Sequence, residues 1–437
     1  MAGCGGSCAS PRLRRRPAGR PGRDAYCDCP TSADLRDGCR NREARATSGL
    51  AGGKARDRLR RGHSTGGPSA ARNCVAGSSP PRDRSCLDCA AVCPSMRFGS
   101  KEREERRMPE GQRTMILKRH ARKITRFEEI IEAVRGFPRK TLSVAVPEHA
   151  SVLQAVKDAA ERDLAEAILV GDKDRILRAA DEAEYAVDPA RIVDVPRGTE
   201  AASKAVSLVR DGQADILMKG HLHSDDFLRA VVHRDTGLRT KAVMSHIFIW
   251  EATEAFGRLI FVTDGGMNIA PDLATKADIV LNAVHLAGIF GLVRARVAVL
   301  AAVEVVNPKM PATVDATCLA MMRERRQFSP NCVIDGPLAL DNALSALAAE
   351  MKGIKSEVAG SADILVVPDI EAGNMLAKAF RYLAGGRMAG VVVGAAAPVV
   401  LTSRADPAEN KLYSIATAVL MSGFERDLEL KIGKVHF

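Results

Sequence analysis

The pattern of apolar and polar positions along this chain changes character near residue 108. Before that point neither a period of two nor one of 3.6 persists; beyond it, short apolar runs alternate with amphipathic stretches. The runs predict nine strands: Leu142–Val146, Glu166–Val170, Asp215–Met218, Val243–Ile249, Arg258–Thr263, Val297–Val303, Asn331–Ile334, Ile364–Val367 and Gly390–Val393. Helical spacing predicts helices over Ser151–Arg162, Glu200–Asp211, Ser224–Val232, Leu273–Leu286, Thr313–Arg325, Asn342–Met351, Met375–Leu383 and Ala408–Met421. Such alternation means βαβ units and a doubly wound α/β sheet. The run Ala389-Gly-Val-Val-Val-Gly394 is apolar on both faces, which predicts parallel strands covered by helices on either side. Nine strands exceed one compact sheet on this reading, so two domains with a cleft between them are expected.

Composition separates the first quarter from the rest. Residues 1–107 hold 23 Lys+Arg against 11 Asp+Glu, a net of +12. The whole chain is +11, so the remainder carries −1 and the basic character belongs to the leader alone. That leader lacks isoleucine, takes nearly all its charge from Arg, and is dense in Gly, Pro, Ser and Cys. Such a segment buries too little apolar surface to offset the entropy of ordering, and disorder is expected for it. Its bias matches GC-rich DNA read upstream of a start, which suggests that residues 1–107 are not native and that the natural chain begins at Met108 or Met115. Cys86-x-x-Cys89-x-x-x-Cys93 has metal-ligand spacing but no evident fourth ligand beyond Cys74, so no metal site is assigned. A transit peptide is the rival reading, opposed by Asp24, Asp28, Asp34, Asp37 and Glu43. No run of 18 apolar residues exists, so no membrane partner is expected, and a cytoplasmic location is.

Ligands of open α/β sheets sit beyond the carboxyl ends of the strands. Those ends read Lys219-Gly-His-Leu-His-Ser224, Asp264-Gly-Gly-Met-Asn268, Glu304-Val-Val-Asn-Pro-Lys309, Asp335-Gly-Pro-Leu-Ala-Leu-Asp341, Pro368-Asp-Ile-Glu-Ala-Gly-Asn374 and, last, a segment containing Leu401-Thr-Ser-Arg-Ala-Asp406. Turn chemistry accounts for Gly and Asn. It does not account for Lys219, His221, His223, Lys309 and Arg404 recurring there, and basic and amide donors at helix starts suit a phosphate-bearing ligand. No Walker-type loop and no G-x-G-x-x-G after a strand is present, so ATP hydrolysis and an ordinary dinucleotide site lose support.

Taken together and in this order, these segments resemble the phosphate acetyltransferase and phosphate butyryltransferase family over roughly residues 125–435. Val306-Asn-Pro-Lys-Met-Pro311 and Leu401-Thr-Ser-Arg-Ala-Asp406 look closer to the butyryl branch. The resemblance implies reversible transfer, acyl-CoA plus orthophosphate giving acyl phosphate plus CoA, through direct attack in a ternary complex. It implies coenzyme A as substrate, no bound cofactor or metal, and a homodimer; no nucleic-acid partner is expected either, because the basic charge that would attract one lies in the leader. It also implies two doubly wound α/β domains of isocitrate/isopropylmalate dehydrogenase-like architecture, with the site in the cleft. These map to 115–242 plus 391–437, and 243–390. The same module occurs elsewhere fused to an enoyl-CoA hydratase-like half, so derivation from such a bifunctional protein is an alternative. An NAD-dependent hydroxy-acid dehydrogenase of similar fold is another; it lacks the metal-binding Asp cluster and nicotinamide loop it would need.

Site roles follow from that resemblance. Ser403 and Arg404 match its Ser-Arg pair, the Arg binding phosphate and the Ser orienting the carbonyl. Ser224 and Arg229 match a second pair in the phosphate region, with Lys219 and His223 beside them. Asp264, Asn268, Asn307 and Lys309 match family positions as substrate-binding candidates; Asp335 and Asp341 are matched as loop-ordering residues. His221 and His223 find no third ligand for a metal. The base is where the sequence departs, because Asn410 stands where the acetyl branch has Asp and an amide cannot take a proton. Glu409 is the candidate base. Asp406 is the other carboxylate and reads as the N-cap of the last helix, and a thiolate stabilised by positive charge alone is the third possibility.

Overall fold

The computed structural model describes residues 123–252, 256–328 and 331–429. The proposed leader, its cysteines and the starts at Met108 and Met115 lie outside the described residues.

All nine expected strands form, at β1 (Lys140–Ala145), β2 (Ala165–Gly171), β4 (Ile216–Lys219), β5 (Ser245–Glu251), β6 (Leu259–Thr263), β7 (Ala295–Leu300), β8 (Cys332–Leu338), β9 (Ile364–Val366) and β10 (Met388–Val393). Two short strands add to them, β3 (Ile192–Asp194) and β11 (Val399–Val400). The helices are α1 (Phe127–Val134), α2 (Ala150–Glu161), α3 (Lys173–Glu182), α4 (Gly198–Arg210), α5 (Ser224–Val231), α6 (Leu273–Ile289), α7 (Pro311–Glu324), α8 (Leu340–Leu344), α9 (Ala346–Met351), α10 (Ile370–Tyr382) and α11 (Ala408–Glu429). The expected helix over Asn342–Met351 is broken in two. Ser345 ends the first piece in extended backbone and caps the second, its side chain accepting from Ala348 N.

The strands join in one sheet of order β3-β2-β1-β4-β11-β10-β5-β6-β9-β7-β8. Two parallel wings, β3 to β11 and β6 to β8, meet through antiparallel pairings of β11 with β10, β10 with β5 and β5 with β6. The run at 389–394 is therefore antiparallel, against expectation. Its two apolar faces reflect cover from both sides, which burial demands whatever the strand direction, and every residue of β10 is buried.

The long helix α11 lies beneath this junction and packs on β10, β11, β4, α1, α2 and α6. Residues 410–421 are buried throughout, so little polar face remains. Tyr413 stacks on Phe127 of α1 with ring centroids 4.7 Å apart. The segment preceding α11 is thereby anchored to a helix that is buried from residue 410 to 421. In the second wing, Asp363 is 1 % exposed and is gripped by Arg296 through Nε and Nη2, both at 2.9 Å. Burial works against that carboxylate's charge, and the guanidinium outweighs it, holding the group below the ordinary range.

Candidate active site

Four strand ends meet at the junction: β4 with residues 220–224, β6 with 264–268, β9 with the start of α10, and β11 with 401–406. β10 runs against β11, and β5 against β6, so Met388–Gly390 lie beside the end of β11 and His246 lies beside the end of β6. Together they border a cleft of about 290 Å³, at the low end of small-molecule sites, roughly 300–1,000 Å³. One wall is a single stripe of α10: Ile370, Asn374, Ala377, Lys378, Arg381 and Tyr382. Asn374 ties that wall to the β6 loop by donating to Gly265 O at 3.1 Å. The approach is close enough to exclude side chains: a Cβ on Gly373 would stand 2.7 Å from Gly265 Cα.

Of the catalytic candidates, Ser403 borders the cleft. Arg404, exposed beside it, comes within 3.5 Å of His223 Nδ1, so the β11 and β4 loops meet there. Ser224, the first residue of α5, borders the cleft on the β4 side. Glu409 does not line it. That residue is 51 % exposed and faces Arg387 and the Tyr413 hydroxyl, each at 3.3 Å, in a cluster with Glu128. The first turn of α11 points it away because the buried stripe of that helix starts at Asn410. Asp406 is the carboxylate that lines the cleft. Its Oδ2 accepts from Ser403 N at 2.7 Å, so its side chain turns back onto its own loop and does not cap the helix as expected. Asn410 is buried, its Oδ1 accepting from Met388 N, and serves to join α11 to β10.

The remaining candidates divide. Asp264 and Asn268 build the β6 loop. The Asp264 carboxylate accepts from the backbone N–H groups of Gly266, Met267 and Asn268 and from Asn268 Nδ2, which also donates to Met244 O. Lys219 is 1 % exposed and donates to Gly220 O and Leu222 O, so it holds its loop from behind. Burial, reinforced by Arg404 and Lys411, pushes its ammonium down to about 8. Arg229 is 72 % exposed and paired with Asp226 one turn earlier, away from the cleft lining. Asn307 and Lys309 belong to the loop after β7, two positions from β6 in the sheet, and do not line the cleft. Asn307 Oδ1 accepts from Lys309 N in a local turn. Asp335 falls inside β8, and Asp341 pairs with Lys352. His221 stacks on His149 at 4.9 Å. Burial, then His149, lowers its pKa. Among the described residues, no group of three or more His, Cys, Asp or Glu could hold a metal ion.

Three features escaped the sequence reading. His246 is 2 % exposed at the cleft, its Nε2 3.1 Å from Leu401 O and its Nδ1 without a partner among the described residues. Burial lowers its pKa and favours the neutral ring. Lys411, 1 % exposed, donates to Asp406 O. His246 interrupts an otherwise apolar strand, and that is the signal that would have found it; Lys411 follows Glu409 and Asn410 and carried no such signal. The α10 wall carried a helical pattern but nothing to say which face met a ligand.

The family model described as "Phosphate acetyl/butaryl transferase" matches residues 196–419. A phosphate butyryltransferase of Clostridium acetobutylicum is 48 % identical over 300 residues, 69 % of this chain and 99 % of its own length. A phosphate acetyltransferase of Rhizobium meliloti is 44 % identical over 302 residues, 69 % of this chain and 95 % of its own. The crystal structure of a branched-chain phosphotransacylase from Enterococcus faecalis V583 superposes with a TM-score of 0.56 at 33 % identity, covering 65 % of this chain and 99 % of that one. The chain belongs to the phosphate acetyl/butyryl transferase family.

Proposed function

We propose that this protein transfers a short acyl group reversibly between coenzyme A and orthophosphate, with butyryl preferred over acetyl. The observation that carries the reading is the meeting of Ser403, Arg404 and Asp406 on one loop with His223 and Ser224 on another, at one mouth of the cleft. In the direction of acyl-CoA synthesis, the CoA thiol gives its proton to Asp406 and the sulfur attacks the acyl carbonyl. The new carbon–sulfur bond gives a tetrahedral adduct, and its collapse breaks the carbon–oxygen bond to phosphate, so that orthophosphate leaves. Arg404 and Ser403 stabilise charge at the tetrahedral stage, and Ser224 orients the phosphate. Asp406 takes the base role in place of Glu409 because it borders the cleft, and its Oδ1 accepts no hydrogen bond among the described residues. Lys378, Arg381 and Tyr382 on the outer part of α10 give the nucleotide end of CoA cationic and aromatic company.

Residues 115–242 with 391–437, and 243–390, are read as the two domains. The first boundary falls just before β5 and the second within β10, so the junction strands act as the hinge. The chain is read as a cytoplasmic homodimer that uses no bound cofactor or metal. Cys318 and Cys332 form no disulfide among the described residues, which fits a reducing compartment, and exposed Leu347 and Met351 offer apolar surface for pairing. No described helix is long and apolar enough to cross a membrane. The butyryl preference rests on the 48 % identity to a phosphate butyryltransferase. Initial rates of phosphate-dependent CoA release from acetyl-, propionyl-, butyryl- and acetoacetyl-CoA test it. Butyryl-CoA is expected to give the highest kcat/KM, and a clear acetyl-CoA maximum rejects the preference.

A further inference from the structure

Two lysines stand buried behind the cleft, neither exposing more than 1 % of its surface. Lys219 ends β4, and its Nζ donates to Gly220 O at 3.3 Å and Leu222 O at 3.1 Å, the turn that delivers His223 and Ser224. Lys411 lies in the first turns of α11, and its Nζ donates to Asp406 O, at the end of the loop that carries Ser403 and Arg404. Each therefore clamps one of the two loops that meet through His223 and Arg404. Arg404 and Lys411 also act electrostatically on Lys219, and the opposite charge acting on both lysines is Asp406.

Burying a charge without a paired partner is expensive. A methionine or leucine would fill either position without that cost, so the charges need a reason. Lys219, Lys411 and Arg404 face one carboxylate, Asp406, at this end of the cleft, and Asp225 is the other carboxylate on its border. A phosphate group carries about −1.5 to −2 near pH 7, and in a partly desolvated setting its attraction to these cations acts strongly. We infer that Lys219 and Lys411 form a cationic floor that holds the two site loops in register and supplies the attraction for a tetrahedral dianion seated against Arg404. They are positioning residues, acting through the loops and the local potential. This inference rests on the phosphate-transferring reading of the cleft and adds to it two groups that do not line it.

The test is direct binding of sulfate and of orthophosphate by calorimetry, free of turnover, to wild type, Lys411→Met, Lys411→Arg and Lys219→Met, with coenzyme A binding measured on the same samples. Loss of one charge is expected to weaken sulfate by about tenfold or more, to leave coenzyme A within about twofold, and to be recovered in part by Lys411→Arg. Sulfate bound equally by wild type and both Met variants overturns the inference. Weakening of both ligands together also overturns it, since that marks general loop damage. Wild type that binds sulfate but shows no phosphate-dependent acyl transfer instead sinks the functional reading and spares the floor. If the Met variants do not fold, wild type decides: with Arg404 and Asp406 of the β11 loop and Lys411 of α11 facing Lys219, sulfate affinity must fall as pH rises through about 8. A flat profile from pH 7 to 10 overturns the inference.

Discussion

Replacing Asp406 by Asn separates two carboxylates that stand three residues apart and do different things. The amide keeps the size of the side chain and an oxygen to accept from Ser403 N, so the loop is retained. What it loses is basicity. A positioned general base contributes roughly 10²–10⁴-fold, so kcat is expected to fall by at least about a hundredfold with KM for phosphate little changed. Glu409→Gln is the control. Glu409 is half exposed and is one of three carboxylates around Arg387, the others being Glu128 at 2.5 Å and buried Glu251. Its removal leaves Arg387 paired, and exposed pairs contribute about 0–1 kcal/mol. Glu409→Gln is thus expected to keep activity within about twofold and to shift stability by less than about 1 kcal/mol. Stopped assays of CoA release under saturating phosphate, together with urea unfolding, measure both. Asp406→Asn with more than about a tenth of wild-type kcat, or Glu409→Gln with a hundredfold loss, refutes the assignment.

Further outcomes follow from the same geometry. Gly373→Ala forces a methyl to within 2.7 Å of Gly265 Cα and 2.8 Å of Asp264 O; it should cost about 1–3 kcal/mol by overpacking and weaken acyl-CoA binding, as urea midpoints and KM will read. Arg404→Ala should lower kcat by about 10²-fold or more, the usual effect of losing an electrostatic stabiliser, in the same CoA-release assay. Burial holds the Lys219 ammonium at about 8 in the fold, against about 10.4 in an unfolded chain. Between those values the unfolded chain binds more protons, so wild-type stability rises with pH relative to Lys219→Met, which melting curves from pH 7 to 10 will show. Asp363, held low by Arg296, contributes stability that is present above the ordinary Asp value and is lost as pH falls through its lowered one. Asp363→Asn should therefore cost about 3 kcal/mol near neutrality and less in acid.

The strands were legible because their apolar runs are short and bounded by turn residues, and every one expected was found. Two helices, α1 and α3, were missed; α3 is a polar helix whose buried side is only Ile176, Ala179 and Ala180, too thin a stripe to read as a period. Strand direction was not legible. An apolar run such as Val391-Val-Val393 reports cover on both faces, and only pairing partners distant in sequence decide between parallel and antiparallel. The rule that ligands gather at strand ends pointed to residues that border the cleft, but it treated all ends alike. Strand order placed β4, β6, β9 and β11 around the cleft and left the loops after β7 and β8 aside, so Asn307 and Lys309 dropped away while Ser224, Ser403 and Arg404 came together. That Asp406 and not Glu409 borders the cleft depends on where one helical turn points, and no spacing in the sequence sets that before α11 is docked on its buried face.

The central claim is acyl exchange between coenzyme A and phosphate in this cleft. Phosphorus NMR of purified protein with butyryl-CoA and orthophosphate tests it most directly. The account predicts an acyl phosphate resonance that grows in step with free CoA, requires both substrates, and reverses when butyryl phosphate and CoA are supplied instead. CoA release that proceeds equally without phosphate, with no acyl phosphate formed from any acyl-CoA between acetyl and butyryl, contradicts it.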